Sequence, residues 1–172
     1  MIRDELAATE RIDARRATIV FFTDFQCPFC GRTHRALAPL LEERHGRVRV
    51  VLRHVPLPRH PDARTAARAA ICVERLTPEL LEDYARALFE ADDLSEAACE
   101  GMATERGVDA ERLRRCLTEP AVDARLDADL ARFDAIGGDG VPLLYVGARR
   151  IDGAPSREEL AGALDEAIAA RR

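Results

Sequence analysis

The sequence predicts an α/β domain, and three stretches carry that reading. Residues 17–56 have the pattern strand, helix, strand; residues 62–136 are helical in pattern; residues 140–172 read as a hairpin followed by a helix. The first stretch opens on Thr18-Ile19-Val20-Phe21-Phe22, an apolar, β-branched run expected to form a buried strand over Thr18 to Thr23. A helical pattern follows from Pro28 to about Arg44, with Pro39 inside it and Gly46 closing it. Pro39 is expected to kink this helix, because an interior proline removes a backbone hydrogen bond and crowds the preceding turn. Val48 to Val55 reads as the second strand, and a helical crossover of this length implies parallel pairing. Pro56, Pro58 and Pro61 then stop regular structure.

Five helical segments follow, at 62–76, 78–91, 95–106, 109–118 and 120–136, separated by Pro78, Asp92-Asp93, Gly107 and Pro120. Asp62, Thr77, Ser95, Asp109 and Glu119 stand at their starts, and all but Glu119 are good N-caps. Gly137-Gly138-Asp139-Gly140 is a flexible hinge into Val141-Pro142. Leu143 to Val146 and Arg149 to Ile151 then form a predicted antiparallel hairpin turning at Gly147-Ala148. Ser156 is expected to cap the closing helix, with Glu159 completing a capping box. Met1 to Arg16 reads as a charged, partly helical lead-in without the apolar centre of a signal peptide.

The chain has 172 residues, enough for one domain with a substantial core. It is 47% hydrophobic and 33% charged, a globular balance, and its basic residues are all arginine. Net charge is −5 and no basic stripe is interleaved with aromatics, which argues against nucleic acid as a partner. Its apolar runs are far shorter than a membrane span.

The chemistry concentrates in Asp24-Phe25-Gln26-Cys27-Pro28-Phe29-Cys30, where the first strand hands over to the first helix. Cys27 falls at the cap and Pro28 at the first helical position, where its missing N–H would have no partner anyway. The partial positive charge of the first-turn N–H groups favours a thiolate at Cys27. Cys30 lies one turn deeper, on a stripe with Leu37 and Leu41. Two thiols at this spacing can close a disulfide with one sulfur open to attack and one screened. A zinc site would need two further ligands, usually a second CxxC or a pair of histidines. Cys72, Cys99 and Cys116 are isolated on predicted helices, and His54 and His60 flank prolines. No metal and no cofactor is therefore expected.

The motif resembles the thioredoxin superfamily, and within it the DsbA-like thiol:disulfide oxidoreductases. The likeness rests on FTDFQCPFC, RHVPLPRHPDA (Arg53 to Ala63) and GVPLLYVGARR (Gly140 to Arg150), in that order, and covers nearly all of Thr18 to Ala169. It implies a thioredoxin-like fold carrying the helical block as an insertion between its βαβ half and its ββα half. It implies that Cys27 and Cys30 are the redox pair, and that Pro28, Phe29, Val141 and Pro142 meet the substrate. It further implies a cis Val141–Pro142 bond lying against the motif. Cysteines at the places of Cys72 and Cys116 are frequent in the family, which implies a second, structural disulfide between them. The bland alternative is two buried free thiols.

Two positions depart from the family pattern. Six residues before the first cysteine, related proteins commonly carry a buried acid beneath the disulfide, and here that residue is Phe21. Pro28-Phe29 also lacks the histidine that stabilises the thiolate in the strongest oxidases. Asp24 is not expected to replace the missing acid; a surface position opposing the thiolate is the alternative. His34 lies about 10 Å along the helix from Cys27, too far to bond its sulfur, and reads as a satisfied helix histidine. Cys99 reads as a buried small hydrophobe.

The leading expectation is an enzyme that exchanges disulfides with protein cysteines through Cys27 and Cys30, as an oxidase more than a reductase. Its partners would be cysteine-containing proteins and a membrane redox protein. Its place of work would be extracytoplasmic, periplasmic or membrane-tethered, although this chain shows no signal peptide; a cytoplasmic protein is the other option. The alternatives are a redox domain of a membrane-protein fusion and a CxxC metal-delivery protein.

Overall fold

The computed structural model describes residues 15–171, so the predicted lead-in lies almost wholly outside the described residues. The fold begins with β1 (Ala17–Thr23), α1 (Pro28–Glu43) and β2 (Val48–His54). A helical block follows: α2 (Ala63–Leu76), α3 (Leu81–Glu90), α4 (Glu96–Glu105), α5 (Ala110–Leu117) and α6 (Pro120–Ala135). The chain closes with β3 (Leu143–Val146), β4 (Arg149–Asp152) and α7 (Arg157–Ala169). The strands form one sheet in the order β2-β1-β3-β4, with β1 parallel to β2 and antiparallel to β3.

β1 is buried along its whole length, as its unbroken apolar run requires. Its side chains alternate between two cores. Ile19 and Phe21 face a core shared with Cys30 and Leu37 of α1, Leu52 of β2 and Leu144 of β3. Val20 and Phe22 face a smaller one with Val55, Phe133 of α6 and Leu143. Burying a phenylalanine stabilises by about 1.5–3 kcal/mol, so Phe21 and Phe22 hold the two layers to one strand.

α1 runs through Pro39 without a break. Leu37 and Leu40 are its deeply buried leucines, whereas Leu41 is only half-buried. The predicted segment 78–91 is divided: a 3₁₀ turn at Pro78–Leu80 precedes α3. Ser95, Asp109 and Ser156 cap their helices through side-chain oxygens that accept from the N–H three residues on. Thr77 and Asp62 make no side-chain cap bond. Asp62 instead receives an N–H from the Gln26 side chain at 3.4 Å, and its own backbone N–H donates to Gln26 Oε1 at 2.8 Å.

α2 is the hub of the helical block. Its small residues Ala66, Ala67, Ala69 and Ala70 are fully buried, which lets α3, α4, α5 and α6 approach closely. A disulfide joins Cys72 of α2 to Cys116 of α5, with an S–S distance of 2.12 Å. The block is fastened to the sheet by the buried carboxylate of Asp129 on α6. It accepts from the His54 backbone N–H at 3.0 Å and pairs with Arg53 at 3.1 Å and Arg125 at 3.3 Å.

Candidate active site

The end of β1 and the start of α1 place Cys27. The Asp24 side chain accepts the Gln26 N–H at 2.7 Å, tightening the turn, and the Cys27 N–H donates to the Asp24 carbonyl at 3.1 Å. Cys27 is the N-cap of α1 with an extended backbone, φ −80° and ψ 118°, and its side chain makes no cap bond. Its carbonyl accepts from Gly31 N–H at 3.1 Å. Pro28 has no N–H to give, so Phe29 and Cys30 supply the first-turn donors that lack a helical acceptor.

The Cys27 thiol donates to the Val141 carbonyl at 3.8 Å, and the Val141–Pro142 peptide bond is cis. The hinge before β3 therefore sits against the start of α1. Beside Cys27 opens a groove of about 370 Å³, lined by Phe25, Cys27, Pro28, Arg35, Phe89 and Asp92 among others. Phe29 is 53% exposed, the one exposed large apolar side chain among the described residues, with the Arg32 guanidinium 5.1 Å from its ring centroid.

Cys30 is not part of the groove. It is fully buried, and burial pushes its thiol pKa well above the ordinary value. The Asp24 backbone and a contact with the Thr23 hydroxyl, which falls short of a full hydrogen bond, oppose that rise; Cys27 adds to it. Cys27 is itself largely buried, at 4% exposure, but it lines the groove, whereas Cys30 is fully buried and does not. Both are free thiols in this structure.

Asp24 is buried, which corrects the alternative of a surface carboxylate facing the thiolate. Its Oδ2 accepts from the Leu57 N–H at 2.8 Å and pairs with His60 Nδ1 at 2.8 Å. This carboxylate ties the proline-rich loop after β2 to the motif. His34 is buried, bonds Glu82 through Nε2 at 3.0 Å and lies against the Phe89 ring. Phe21 stacks on Phe89 with centroids 6.4 Å apart, so the position six residues before Cys27 holds an aromatic ring within the core. Cys99 is buried, its thiol donating to the Leu94 carbonyl at 3.4 Å. No group of three or more His, Cys, Asp or Glu among the described residues is placed to hold a metal ion.

One residue with a place beneath the site carried no role in the sequence reading. His54 ends β2 directly opposite Thr23 in the parallel register, is buried, and lies 5.7 Å from the Phe25 ring. Burial pulls its pKa down to about 4; Asp129 opposes this, whereas Arg125 and Arg53 reinforce it. The signal lay in the parallel pairing, which sets the last residue of β2 beside the last residue of β1.

The thioredoxin family model matches residues 13–166. Among curated proteins, one named Na(+)/H(+) antiporter NhaA 3 from Salinispora tropica is 32% identical over 156 residues, which is 90% of this chain and 24% of that protein. A protein named Na(+)/H(+) antiporter NhaA 1 from Salinispora arenicola is 31% identical over the same shares. The chain thus spans about a quarter of the length of these relatives. Among solved structures, a thioredoxin-like oxidoreductase from Silicibacter pomeroyi superposes with a TM-score of 0.76 at 28% identity, covering 88% of this chain and 86% of that one. The thiol-disulfide exchange protein alpha-DsbA2 from Wolbachia pipientis superposes at 0.79 with 18% identity, covering 96% and 95%, a likeness of fold.

Proposed function

Because this chain belongs to the thioredoxin family, as a DsbA-like thiol:disulfide oxidoreductase, we propose that Cys27 and Cys30 are its working couple, with Cys27 the sulfur that meets the substrate. The observation that carries this is their asymmetry: Cys27 lines the groove and faces the Val141 carbonyl, whereas Cys30 is sealed beneath it. In the oxidised enzyme, a substrate thiolate attacks Cys27 Sγ, the Cys27–Cys30 bond breaks, and Cys30 leaves with the electron pair and takes a proton. A second substrate thiolate then attacks the substrate sulfur of this mixed disulfide and Cys27 leaves. The substrate has lost two electrons and the couple has gained them. Run in reverse, the same steps reduce a disulfide. The Val141 carbonyl faces the attacked sulfur and the exposed Phe29 stands two residues along the chain from it, so an extended cysteine-containing segment is the substrate we assign.

Oxidation is the favoured direction. A helix N-terminus favours negative charge, and Cys27 stands at the N-cap of α1. Phe29 adds no hydrogen bond to the sulfur, which keeps this couple a moderate oxidant. Its potential then falls between about −270 mV and about −120 mV, the range of related couples. Equilibration against glutathione redox buffers measures this directly. Phe29→His is expected to raise the potential, at about 30 mV for each ~1.4 kcal/mol of added stabilisation of the reduced form. A wild-type potential at the low end of the range would overturn the oxidase assignment in favour of a reductase or isomerase. Return to the oxidised state requires an electron acceptor, for which a membrane redox protein outside the cytoplasm is the proposed class. The Cys72–Cys116 bridge supports that compartment, since structural disulfides persist in oxidising surroundings.

A second reading is favoured by the antiporter-named relatives, each matched over about a quarter of its length. In it, the domain works beside a membrane protein and exchanges disulfides with that partner. It predicts slow turnover on generic reduced, unfolded proteins despite a reactive Cys27. Rapid turnover on them would exclude it.

A further inference from the structure

The resolving thiol needs a proton acceptor that the two nearby candidates do not supply. Phe21 has no ionisable group, and Asp24 spends its carboxylate oxygens on His60, Leu57 and Gln26. Cys30 nevertheless has to lose a proton to attack and regain one to leave. Two polar atoms buried beneath it have no hydrogen-bond partner among the described residues: Thr23 Oγ1 and His54 Nδ1. Each costs about 1–3 kcal/mol when left unsatisfied, so finding both side by side at this point of the core calls for an explanation. Thr23 and His54 are paired residues of adjacent parallel strands, about 4.8 Å apart, and their side chains lie on one face of the sheet, the face that packs on α1. The Thr23 hydroxyl lies near the Cys30 sulfur without a full hydrogen bond to it.

We propose that Thr23 and His54 form a buried proton relay serving Cys30, with the Thr23 hydroxyl as the bridge and His54 Nδ1 as the terminal acceptor, reached through one internal water. The proposal rests on the assignment of Cys27 and Cys30 as the working couple. When Cys30 resolves a mixed disulfide, its S–H bond breaks as the Cys30–Cys27 bond forms. The bond from Cys27 to the substrate sulfur breaks, and that sulfur leaves with the electron pair. The Cys30 proton passes to Thr23 as the Thr23 proton passes to His54, in the tautomer that carries its hydrogen on Nε2. In the opposite direction Cys30 leaves as a thiolate and the relay returns the proton. Asp129 and Arg125 of α6 and Arg53 of β2 are the charged groups that act on the imidazole.

The two sulfur steps can be read separately with a bis-aryl disulfide that releases a coloured thiol. The first equivalent reports attack by Cys27 and the second reports attack by Cys30. In His54→Gln and Thr23→Val, the first phase at neutral pH is expected to stay within about twofold of wild type, while the second slows about tenfold or more, the scale of general-base assistance. Thr23→Ser restores the second phase. The deficit shrinks as pH rises, because hydroxide then takes the Cys30 proton. A second phase within about threefold of wild type in both Thr23→Val and His54→Gln would overturn the relay, since that lies well below general-base assistance. So would slowing of both phases at every pH, the mark of a packing role. Should His54→Gln fail to fold, the Thr23→Val and Thr23→Ser pair decides alone. A second release persisting in Cys30→Ala would instead overturn the assignment of the couple.

Discussion

Replacing Asp24 with alanine removes the acceptor on which the loop after β2 hangs. The carboxylate is buried and receives three donors: Gln26 N–H at 2.7 Å, Leu57 N–H at 2.8 Å and His60 Nδ1 at 2.8 Å. Each buried donor left unsatisfied costs about 1–3 kcal/mol, so three orphaned donors would cost up to about 9 kcal/mol. The Leu57 and His60 side of the site lies near the surface, so water relieves part of the loss and the sum does not reach the arithmetic maximum. The expected destabilisation is about 3–5 kcal/mol. With a urea m-value of about 2 kcal/mol/M, the unfolding midpoint falls by about 2 M. Asp24→Asn keeps an oxygen for the Gln26 N–H and is expected to lose about half as much. The assay is urea unfolding at neutral pH with the Cys72–Cys116 bridge intact, paired with limited proteolysis across Pro56 to Pro61. A midpoint for Asp24→Ala within about 0.5 M of wild type, corresponding to ~1 kcal/mol, would refute the idea that this carboxylate fastens the loop.

Stability should also depend on His54 between about pH 4 and 6.5. Its pKa in the fold lies below the unfolded value, so the unfolded chain binds more protons across that window. Stability is therefore complete above about 6.5 and declines as pH falls toward 4, by at most about 3–4 kcal/mol. His54→Gln should flatten this limb in urea titrations, and an unchanged limb would contradict the burial argument. Cys72 and Cys116 are 44 residues apart, and a closed loop of that length is worth up to about 4 kcal/mol in the chain-entropy treatment. Their double replacement by alanine should lower the unfolding midpoint accordingly. Peptide mapping of unreduced protein that finds both thiols free would remove the basis for this.

Much of the scaffold was legible in local chemistry. The β-branched run at Thr18 to Phe22 announced a buried strand, and Ser95, Asp109 and Ser156 announced helix starts that they cap through their side chains. What escaped depends on partners distant in sequence. For Asp24 a surface position stayed open as an alternative, because the His60 ring and the Leu57 N–H that partner it are brought in by the turn after β2. Asp62 has the chemistry of a cap, yet Gln26 competes for it across 36 residues. The sequence pattern alone cannot show that His54 is sealed beneath Phe25, because its burial comes from α6 and from the motif loop together. The placement of Cys27 at the helix start and of Cys30 one turn on was legible because their spacing and Pro28 act locally. The core beneath Cys30 was not, because parallel register assembles it.

The central claim is that Cys27 attacks and Cys30 resolves. The most direct measurement is trapping: Cys30→Ala and Cys27→Ala are each incubated with a cysteine-containing unfolded protein disulfide, quenched in acid and mapped by mass spectrometry. The account predicts a stable mixed disulfide at Cys27 in the Cys30→Ala protein and none at Cys30 in the Cys27→Ala protein, whose remaining sulfur is fully buried. A mixed disulfide that accumulates at Cys30, or equally at both, would contradict it.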